Sequence, residues 1–398
     1  MNKNIQKLAR IASKDERIII GLMSGTSLDG LDVAVCKIKK SGFDTEVTVQ
    51  HFETVEYDSS FRNKLKEICF KENISLKNLT LLNKLIGIRH AEIINDLLKK
   101  WNISNANIDL TASHGQTVYH APSHPNMESG HGSATLQIGD GDEIAVLTGI
   151  TTISDFRQKQ IAAGGEGAPL AVYGDLLLFG EKENDVVLLN IGGIANFTFI
   201  PAGLSGKIIS SDIGPGNTLM NQWTVHNFSD QFYDKDALIA INGNVSKSLL
   251  DALQKHSFFN IPFPKTTGPE LFNLEFLNTA MEHSGIDDLT VADIMATLNK
   301  FTADIICNSL QPYAKNNNTK LYLSGGGIHN PLLMSHLTEN LSAFIITDIK
   351  TKGITPDAKE AVLFAILANE CVAGNPDTFQ NISDSIPAVS MGKISFPV

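Results

Sequence analysis

The densest chemistry in this sequence lies in Gly25-Thr26-Ser27-Leu28-Asp29-Gly30-Leu31-Asp32, which combines two glycines, two hydroxyls and two carboxylates. Glycines let a backbone approach a phosphate closely, hydroxyls donate to its oxygens, and carboxylates hold magnesium through water. The same residues also suit a tight hairpin that binds nothing. Spacing excludes two familiar nucleotide loops. Gly25 and Gly30 stand at P-loop spacing, but Leu31 occupies the lysine position. A dinucleotide-binding turn would need G-x-G-x-x-G opening a helix, and that pattern is absent. What remains is a hairpin whose N–H groups wrap a phosphate, with acidic side chains to hold a metal ion.

Four further clusters carry candidate chemistry. Ser113-His114-Gly115-Gln116-Thr117 follows an expected strand at Ile108–Ala112, where α/β folds bind ligands. His114 and Gln116 offer donors and acceptors suited to sugar hydroxyls, although a loop histidine also serves structure alone. Asp155-Phe156-Arg157 reads as a strand end and Ala163 to Pro169 as a glycine-rich turn, with Asp155 and Arg157 free to pair with each other. Ser211-Asp212-Ile213-Gly214-Pro215-Gly216-Asn217 predicts a tight turn before a helix marked by Leu219, Met220 and Trp223. A strand-end Asp212 backed by Gly and Pro is rigid enough to act as a general base, or it bonds its own backbone. Ser324-Gly325-Gly326-Gly327 offers bare backbone for a flat adenine, or a simple turn.

The elements that position these clusters are legible from hydrophobic pattern. Arg17–Met23 and Leu31–Ile38 are β-branched, apolar runs that predict buried strands on either side of the first glycine turn. Asp185–Asn190, the turn Ile191-Gly192-Gly193-Ile194 and Ala195–Ile200 repeat the arrangement. Two strand–glycine–strand hairpins half a chain apart predict two domains of similar fold facing each other. Thr290-Val291-Ala292-Asp293 is a capping box opening a helix through Leu310. Thr355-Pro356 is expected to start another, and Leu321–Ser324 is a short strand. Alternating strands and helices in two halves predict an α/β protein. Ser123 to Ser133 and Asn316-Asn317-Asn318 read as surface loops.

Composition narrows the partners. A chain of 398 residues exceeds one ordinary core. Its 42% hydrophobic and 19% charged residues are those of an ordinary globular protein. With 32 basic and 43 acidic residues the net charge is −11, which argues against nucleic-acid binding, since phosphate backbones demand a basic face. A nucleotide is still admissible, because a few N–H groups and one divalent cation neutralise a triphosphate locally. Cys36, Cys69, Cys307 and Cys371 form no C-x-x-C pair, so zinc spacing is absent, no resident metal site is expected, and buried free thiols are. Residues 1–17 lack a signal-peptide core, and no uncharged apolar run approaches the ~20 residues of a membrane helix. The expectation is a soluble, cytoplasmic protein without a membrane partner.

Taken together and in order, these motifs resemble the anhydro-N-acetylmuramic acid kinase family. The resemblance rests on Gly21 to Asp32, Ser113 to Thr117, Leu136-Gln137-Ile138-Gly139-Asp140, Asp155-Phe156-Arg157 and Gly165 to Leu170. It continues through Asn190 to Gly193, Asp212 to Asn217, Asp234-Lys235-Asp236, Pro264 to Gly268 and Gly325 to Gly327, spanning about residues 18 to 395. The resemblance implies a two-domain actin/hexokinase-like (ribonuclease H-like) kinase with an interdomain active-site cleft, usually homodimeric. Its domains would be 1–154 with 376–398, and 155–375. It implies that ATP and Mg²⁺ are used to open the 1,6-anhydro ring of anhydro-N-acetylmuramic acid with water and phosphorylate O6, in cell-wall recycling. Carried over by residue, Gly25, Thr26, Ser27, Leu28, Asp29, Gly30, Leu31 and Asp32 would bind the ATP phosphates. Asn190, Gly192, Gly193, Gly325, Gly326 and Gly327 would lie on the nucleotide side. His114, Gln116, Thr117, Asp155, Arg157 and Asn217 would meet the sugar, and Asp212 would be the catalytic base. Gln158 and Lys159 stand where the family often has arginines, as do Pro269 and Tyr119, and the loop from Ser123 to Ser133 is longer than usual. Two other readings are a kinase for an ordinary amino-sugar hydroxyl and a non-catalytic nucleotide-binding switch.

Overall fold

The β-branched runs form strands with the glycine turns between them. The structure, a computed structural model, describes residues 2–121, 132–168, 170–204, 206–286, 288–314, 318–348, 353–355, 357–380, 382 and 387–398. The expectations placed on Ser123 to His131, Pro169, Asn316, Asn317 and Pro356 lie outside the described residues. Two compact units result, Met1–Phe179 with Lys352–Val398, and Gly180–Thr351.

In the first unit, β1 (Glu16–Ser24), β2 (Gly30–Lys39) and β3 (Glu46–Glu56) make an antiparallel meander. β4 (Leu110–Ala121) joins β1 in parallel and β6 (Thr152–Ser154) joins β4 in parallel. β5 (Ala134–Ile138) pairs with the far half of β4. The second unit repeats this order. β7 (Val186–Ile191), β8 (Ile194–Ile200) and β9 (Ile209–Pro215) form the meander, then β10 (Lys320–Ser324) and β11 (Ile345–Asp348) follow in parallel. β12 (Lys393–Ser395) returns to the edge of the first sheet against β6. The predicted duplication is therefore present in strand order and direction, two α/β units of like topology.

Helices cover the sheets. The first unit has α1 (Lys3–Ala12), α2 (Ser59–Lys66), α3 (Leu76–Lys100), α4 (Gly141–Thr148), α5 (Phe156–Ala162) and α6 (Ala171–Phe179). The second has α7 (Thr218–Asn227), α8 (Lys247–Gln254), α9 (Leu274–Ser284), α10 (Val291–Leu310) and α11 (Pro331–Asn340). α10 opens on the predicted capping box, Thr290 and Asp293 bonding each other's backbone N–H. α12 (Lys359–Ala373) returns to the first unit. It begins after, not at, Thr355, whose carbonyl accepts from Ala358 N at 3.1 Å in a preceding turn.

The unit boundaries differ from 154/155 and 375/376. α5, α6 and α12 bury their apolar faces with the first sheet, so residues 155–179 and 353–375 belong there. A Cβ on Gly21 of β1 would lie 1.9 Å from the Ala361 carbonyl oxygen of α12. Asp175 of α6 pairs with Lys359 of α12 at 2.7 Å. Each unit has its own core. Ile20, Leu22, Leu31, Val33 and Ile94 are fully buried in the first, Val187, Leu189, Ile213, Leu298 and Phe301 in the second. Cys36, Cys69 and Cys307 are buried free thiols and Cys371 is a partly buried one.

Candidate functional site

Both glycine turns sit at the carboxyl ends of the parallel strands, where an open α/β sheet leaves its strand ends free for ligands. In the first unit the turn between β1 and β2 turns through Leu28 at φ 57°, a left-handed conformation costing on the order of 1–3 kcal/mol for such a residue. Leu28 is buried, while Thr26, Ser27 and Asp29 around it are exposed. Burial of the leucine anchors the turn and leaves the polar groups outside. Asp29 O accepts from Tyr57 N at 2.8 Å, and Ser27 Oγ donates to Asp29 Oδ1 at 2.6 Å. A Cβ on Gly30 would meet Val55 O at 2.7 Å, so only glycine fits there, whereas one on Gly25 would make only an ordinary contact with Ser27 Oγ at 3.6 Å. Leu31 is buried in the core. Asp32 accepts from Thr54 Oγ1 at 2.5 Å; burial pushes its carboxyl up, the Thr54 bond opposes this, and Asp29 adds to it.

The Ser113–Thr117 segment is not a loop after a strand but part of β4. The strand continues because it changes partner. It runs parallel to β1 as far as Gln116 and antiparallel to β5 from there, with Gly115 at φ 75° absorbing the change. This turns His114 and Gln116 inward, 3% and 1% exposed. Gln116 Oε1 accepts from Ser24 Oγ at 2.7 Å and its Nε2 donates to Gly25 O at 3.2 Å, so it supports the glycine turn. Thr117 Oγ1 accepts from Gln137 Nε2 at 3.3 Å.

Asp155 and Arg157 do not pair with each other. Asp155, at φ 56° between β6 and α5, binds Lys393 at 3.0 Å. Arg157 is on the first turn of α5, a helix the glycine-rich reading did not anticipate. Its Nε donates to His114 Nε2 at 2.8 Å and its Nη1 to Gly167 O at 2.8 Å. A guanidinium only donates, so His114 Nε2 is an acceptor and the ring proton sits on Nδ1, bonding Gly115 O at 2.9 Å. Burial, reinforced by the Arg157 charge, pushes His114 down to about 3, consistent with this neutral form. Burial lowers Arg157 too, and the Glu360 carboxylate on the first turn of α12 works against that. Glu360 thus joins the cluster, and no motif in the sequence reading pointed to it.

In the second unit the ends of β7, β9 and β10 converge. The two-residue turn Gly192-Gly193 accepts from the start of α7, Gly216 N to Gly193 O at 2.8 Å and Asn217 N to Gly192 O at 2.9 Å. Asn217 Nδ2 donates to Ile191 O at 3.3 Å. Glycines are required by close approach. A Cβ on Gly325, at φ 86°, would lie 2.6 Å from Ile191 O and 2.7 Å from Asn190 Oδ1, and one on Gly327 would lie 2.3 Å from Ile191 Cγ2. Gly326 has no such neighbour; the nearest atom is Asn217 Nδ2 at 3.9 Å.

Asp212 lies in β9 and is partly buried. Its Oδ2 accepts from Thr267 N at 2.9 Å and its own N–H donates to Lys265 O at 3.0 Å. The bonds come from the Pro264–Gly268 segment and not from its own turn, so the self-capping alternative does not apply. Burial raises the Asp212 carboxyl, the Thr267 bond opposes that, and Glu270 adds to the rise. Lys265 is held in turn by Phe258, Phe259 and Phe263, its Nζ 4.4, 5.8 and 5.0 Å from the ring centres. Thr267 and Lys265 hold Asp212 in place, and only the motif itself, and no chemical pattern, marked them in the sequence. Asp234 is also structural, its carboxylate capping Ile239 and Ala240 N–H at 2.8 and 3.0 Å.

Among the described residues no group of three or more His, Cys, Asp or Glu is placed to hold a metal. Asp29 and Asp32 are the carboxylates of the first turn. Two carboxylates fit a magnesium ion that keeps its waters and arrives on phosphates, not one caged by protein.

Residues 17–397 match the profile of the family described as anhydro-N-acetylmuramic acid kinase. The anhydro-N-acetylmuramic acid kinase of Pseudoalteromonas atlantica is 53% identical, and that of Pseudoalteromonas translucida 50%, each over the full length of both chains. The enzyme of the same name from Caldanaerobacter subterraneus is 36% identical over 98% of this chain and all of its own.

Proposed function

The chain belongs to the anhydro-N-acetylmuramic acid kinase family, and on that footing we propose that it opens 1,6-anhydro-N-acetylmuramic acid with water and phosphorylates O6 from ATP. The products are N-acetylmuramic acid 6-phosphate and ADP, and the setting is peptidoglycan recycling. The observation that carries this reading is Asp212, whose carboxylate is held by one backbone N–H and whose own backbone N–H is held by Lys265 O, and which is only partly buried, with its pKa raised by burial.

In the proposed reaction Asp212 takes a proton from the water that attacks the anomeric carbon. The C1–O6 bond breaks, O6 attacks the γ-phosphorus, and the bond from that phosphorus to the ADP oxygen breaks. The glycine turn at Gly25 to Asp32 receives the phosphates through its backbone N–H groups and the exposed hydroxyls of Thr26 and Ser27. Asp29 and Asp32 would hold Mg²⁺ through its waters; the ion supplies charge neutralisation on the phosphates. Asn190, Gly192, Gly193 and the Gly325–Gly327 turn lie on the adenosine side, with Gly326 as the open stretch of backbone. Arg157, aimed by His114, is the cation for the substrate's carboxylate, and Asp155 and Asn217 contribute to sugar binding. Gln116 supports the phosphate turn and reaches the sugar only through it.

We also read the enzyme as a cytoplasmic homodimer. No helix among the described residues is long and apolar enough to cross a membrane, and the free thiols suit a reducing compartment. Phe232, Tyr233, Leu238 and Ile241 are exposed on the second unit, apolar surface of the kind association buries.

The test is mass spectrometry of product formed from Mg-ATP and the anhydro sugar in isotopically heavy water. A sugar phosphate that gains one heavy oxygen at the anomeric carbon is the expected result. Transfer only to an open amino sugar, without water incorporation, would keep the kinase chemistry and overturn the substrate.

A further inference from the structure

A chain of buried polar groups runs from helix α3 to the first glycine turn, and its proton order can be worked out from one end. Gly25 O and Thr117 O are carbonyls and only accept, at 3.2 and 3.5 Å from the Gln116 side-chain nitrogen. The Gln116 amide is therefore oriented with Nε2 toward Gly25 and Oε1 toward Ser24. Ser24 Oγ lies 2.7 Å from that Oε1 and spends its one proton there, leaving its lone pairs for Tyr57 Oη at 3.1 Å. Tyr57 then donates to Ser24 and accepts from His90 Nε2, 2.9 Å away. His90 is completely buried and burial pushes it down to about 3, so it carries a single ring proton. The chain puts that proton on Nε2, and the ring nitrogen left over is Nδ1, which has no partner among the described residues. An acceptor left bare is the cheaper orphan, since buried unpaired N–H groups are the rarer kind.

We propose that His90 and Tyr57 are positioning residues for nucleotide binding, acting through Ser24 and Gln116 to fix the Gly25 peptide of the phosphate turn. The motive is geometric. The turn contains a strained left-handed Leu28, and strain of this kind persists only where surrounding contacts over-determine the backbone. The chain supplies such a contact at Gly25. It thus ties the start of the turn to a helix that contributes no group to the site described above. A buried, fully directed network is the form that specifies one arrangement in place of several.

The proposal rests on the turn at Gly25 to Asp32 being the ATP phosphate site, and the experiment separates the two. Three variants of the full chain are compared, Tyr57→Phe, His90→Gln and His90→Met. Gln and Met have nearly the same shape, but only Gln places an N–H donor where His90 Nε2 stands. Melting temperature and the KM for ATP, the KM for the anhydro sugar and kcat are measured for each. Tyr57→Phe and His90→Met are expected to raise the KM for ATP about 3- to 10-fold, the fold-change of one buried hydrogen bond, with the sugar KM unchanged. His90→Gln is expected to restore the parent value. Gln and Met variants with equal KM for ATP would overturn the proposal, because size alone would then account for His90. If His90→Met does not fold, Tyr57→Phe decides alone, since it removes one oxygen; a folded Tyr57→Phe with parental KM values overturns the chain. A Gln-over-Met difference that falls on the sugar KM instead would uphold the positioning chain and overturn the assignment of the turn to ATP.

Discussion

Replacing Asp212 by Asn tests the catalytic reading most directly, because the structure separates its chemistry from its packing. Asn has nearly the same volume and keeps an acceptor oxygen for Thr267 N, and the backbone bond from residue 212 to Lys265 O does not involve the side chain. Stability should therefore change by no more than about 1 kcal/mol, the range of a substitution that leaves no buried group orphaned. What Asn cannot do is take a proton from water. A positioned base contributes about 10²–10⁴ in rate, or roughly 2.7–5.4 kcal/mol of barrier. The assay is steady-state ADP formation in the presence of the anhydro sugar, with melting temperature measured on the same preparation. The expected outcome is a kcat lower by that factor, with both KM values near parental. Turnover within tenfold of the parent, in a variant that melts at the parental temperature, would refute the role of Asp212. A loss of activity accompanied by a drop of many degrees would refute the claim that packing and chemistry separate here.

Three further outcomes follow from the same geometry. The base works only when deprotonated, so activity should fall as pH falls through the Asp212 pKa, and burial places that acid limb above the ordinary value of 3.8; the residual activity of Asp212→Asn should lack it. His114 is neutral at any pH well above about 3 and contributes no inflection near 6.5; His114→Phe removes the acceptor of Arg157 Nε and should raise the KM for the sugar about tenfold, while leaving that for ATP unchanged. Gly21→Ala puts a methyl 1.9 Å from Ala361 O, so the first unit must shift α12 off β1, costing about 1–3 kcal/mol and lowering the melting temperature by about 2–12 °C.

Local pattern reached the strands because buried, β-branched runs such as Arg17–Met23 have no competing reading. It also reached the duplication, since two glycine hairpins half a chain apart recur as the first two strands of two like meanders. It could not reach β4, whose second half is strand only because β5 arrives to pair with it. That pairing turned Gln116 from a surface ligand into an internal brace. The unit boundaries escaped for a related reason. α12 is distant in sequence from β1, and only the bare Gly21 backbone records that they touch. Glu360 was invisible because a lone acid at the start of a helix looks like ordinary dipole compensation. Asp212 was legible as a candidate base, but its holders Thr267 and Lys265 lie in a separate segment that chemistry alone does not tie to it.

The duplicated topology carries two different turns, and the proposed function gives each a different task. β7 and β8 are joined by Gly192-Gly193 alone, and the carbonyls of both glycines are taken up by the amides that begin α7. Such a turn is a joint. It locks the strand ends together, and β8 pairs Asn196 with Asp212 directly, so the rigidity reaches the proposed base. β1 and β2 are joined by the longer stretch from Gly25 to Asp29, whose hydroxyls and carboxylate face outward around a buried Leu28. Such a turn is a cradle, with polar groups left for a ligand and an apolar residue holding it from beneath. A phosphate needs several convergent donors, whereas a base needs one immobile carboxylate. On the proposed assignment, the same strand–glycine–strand unit meets the first demand by lengthening its turn and the second by spending it on the neighbouring helix.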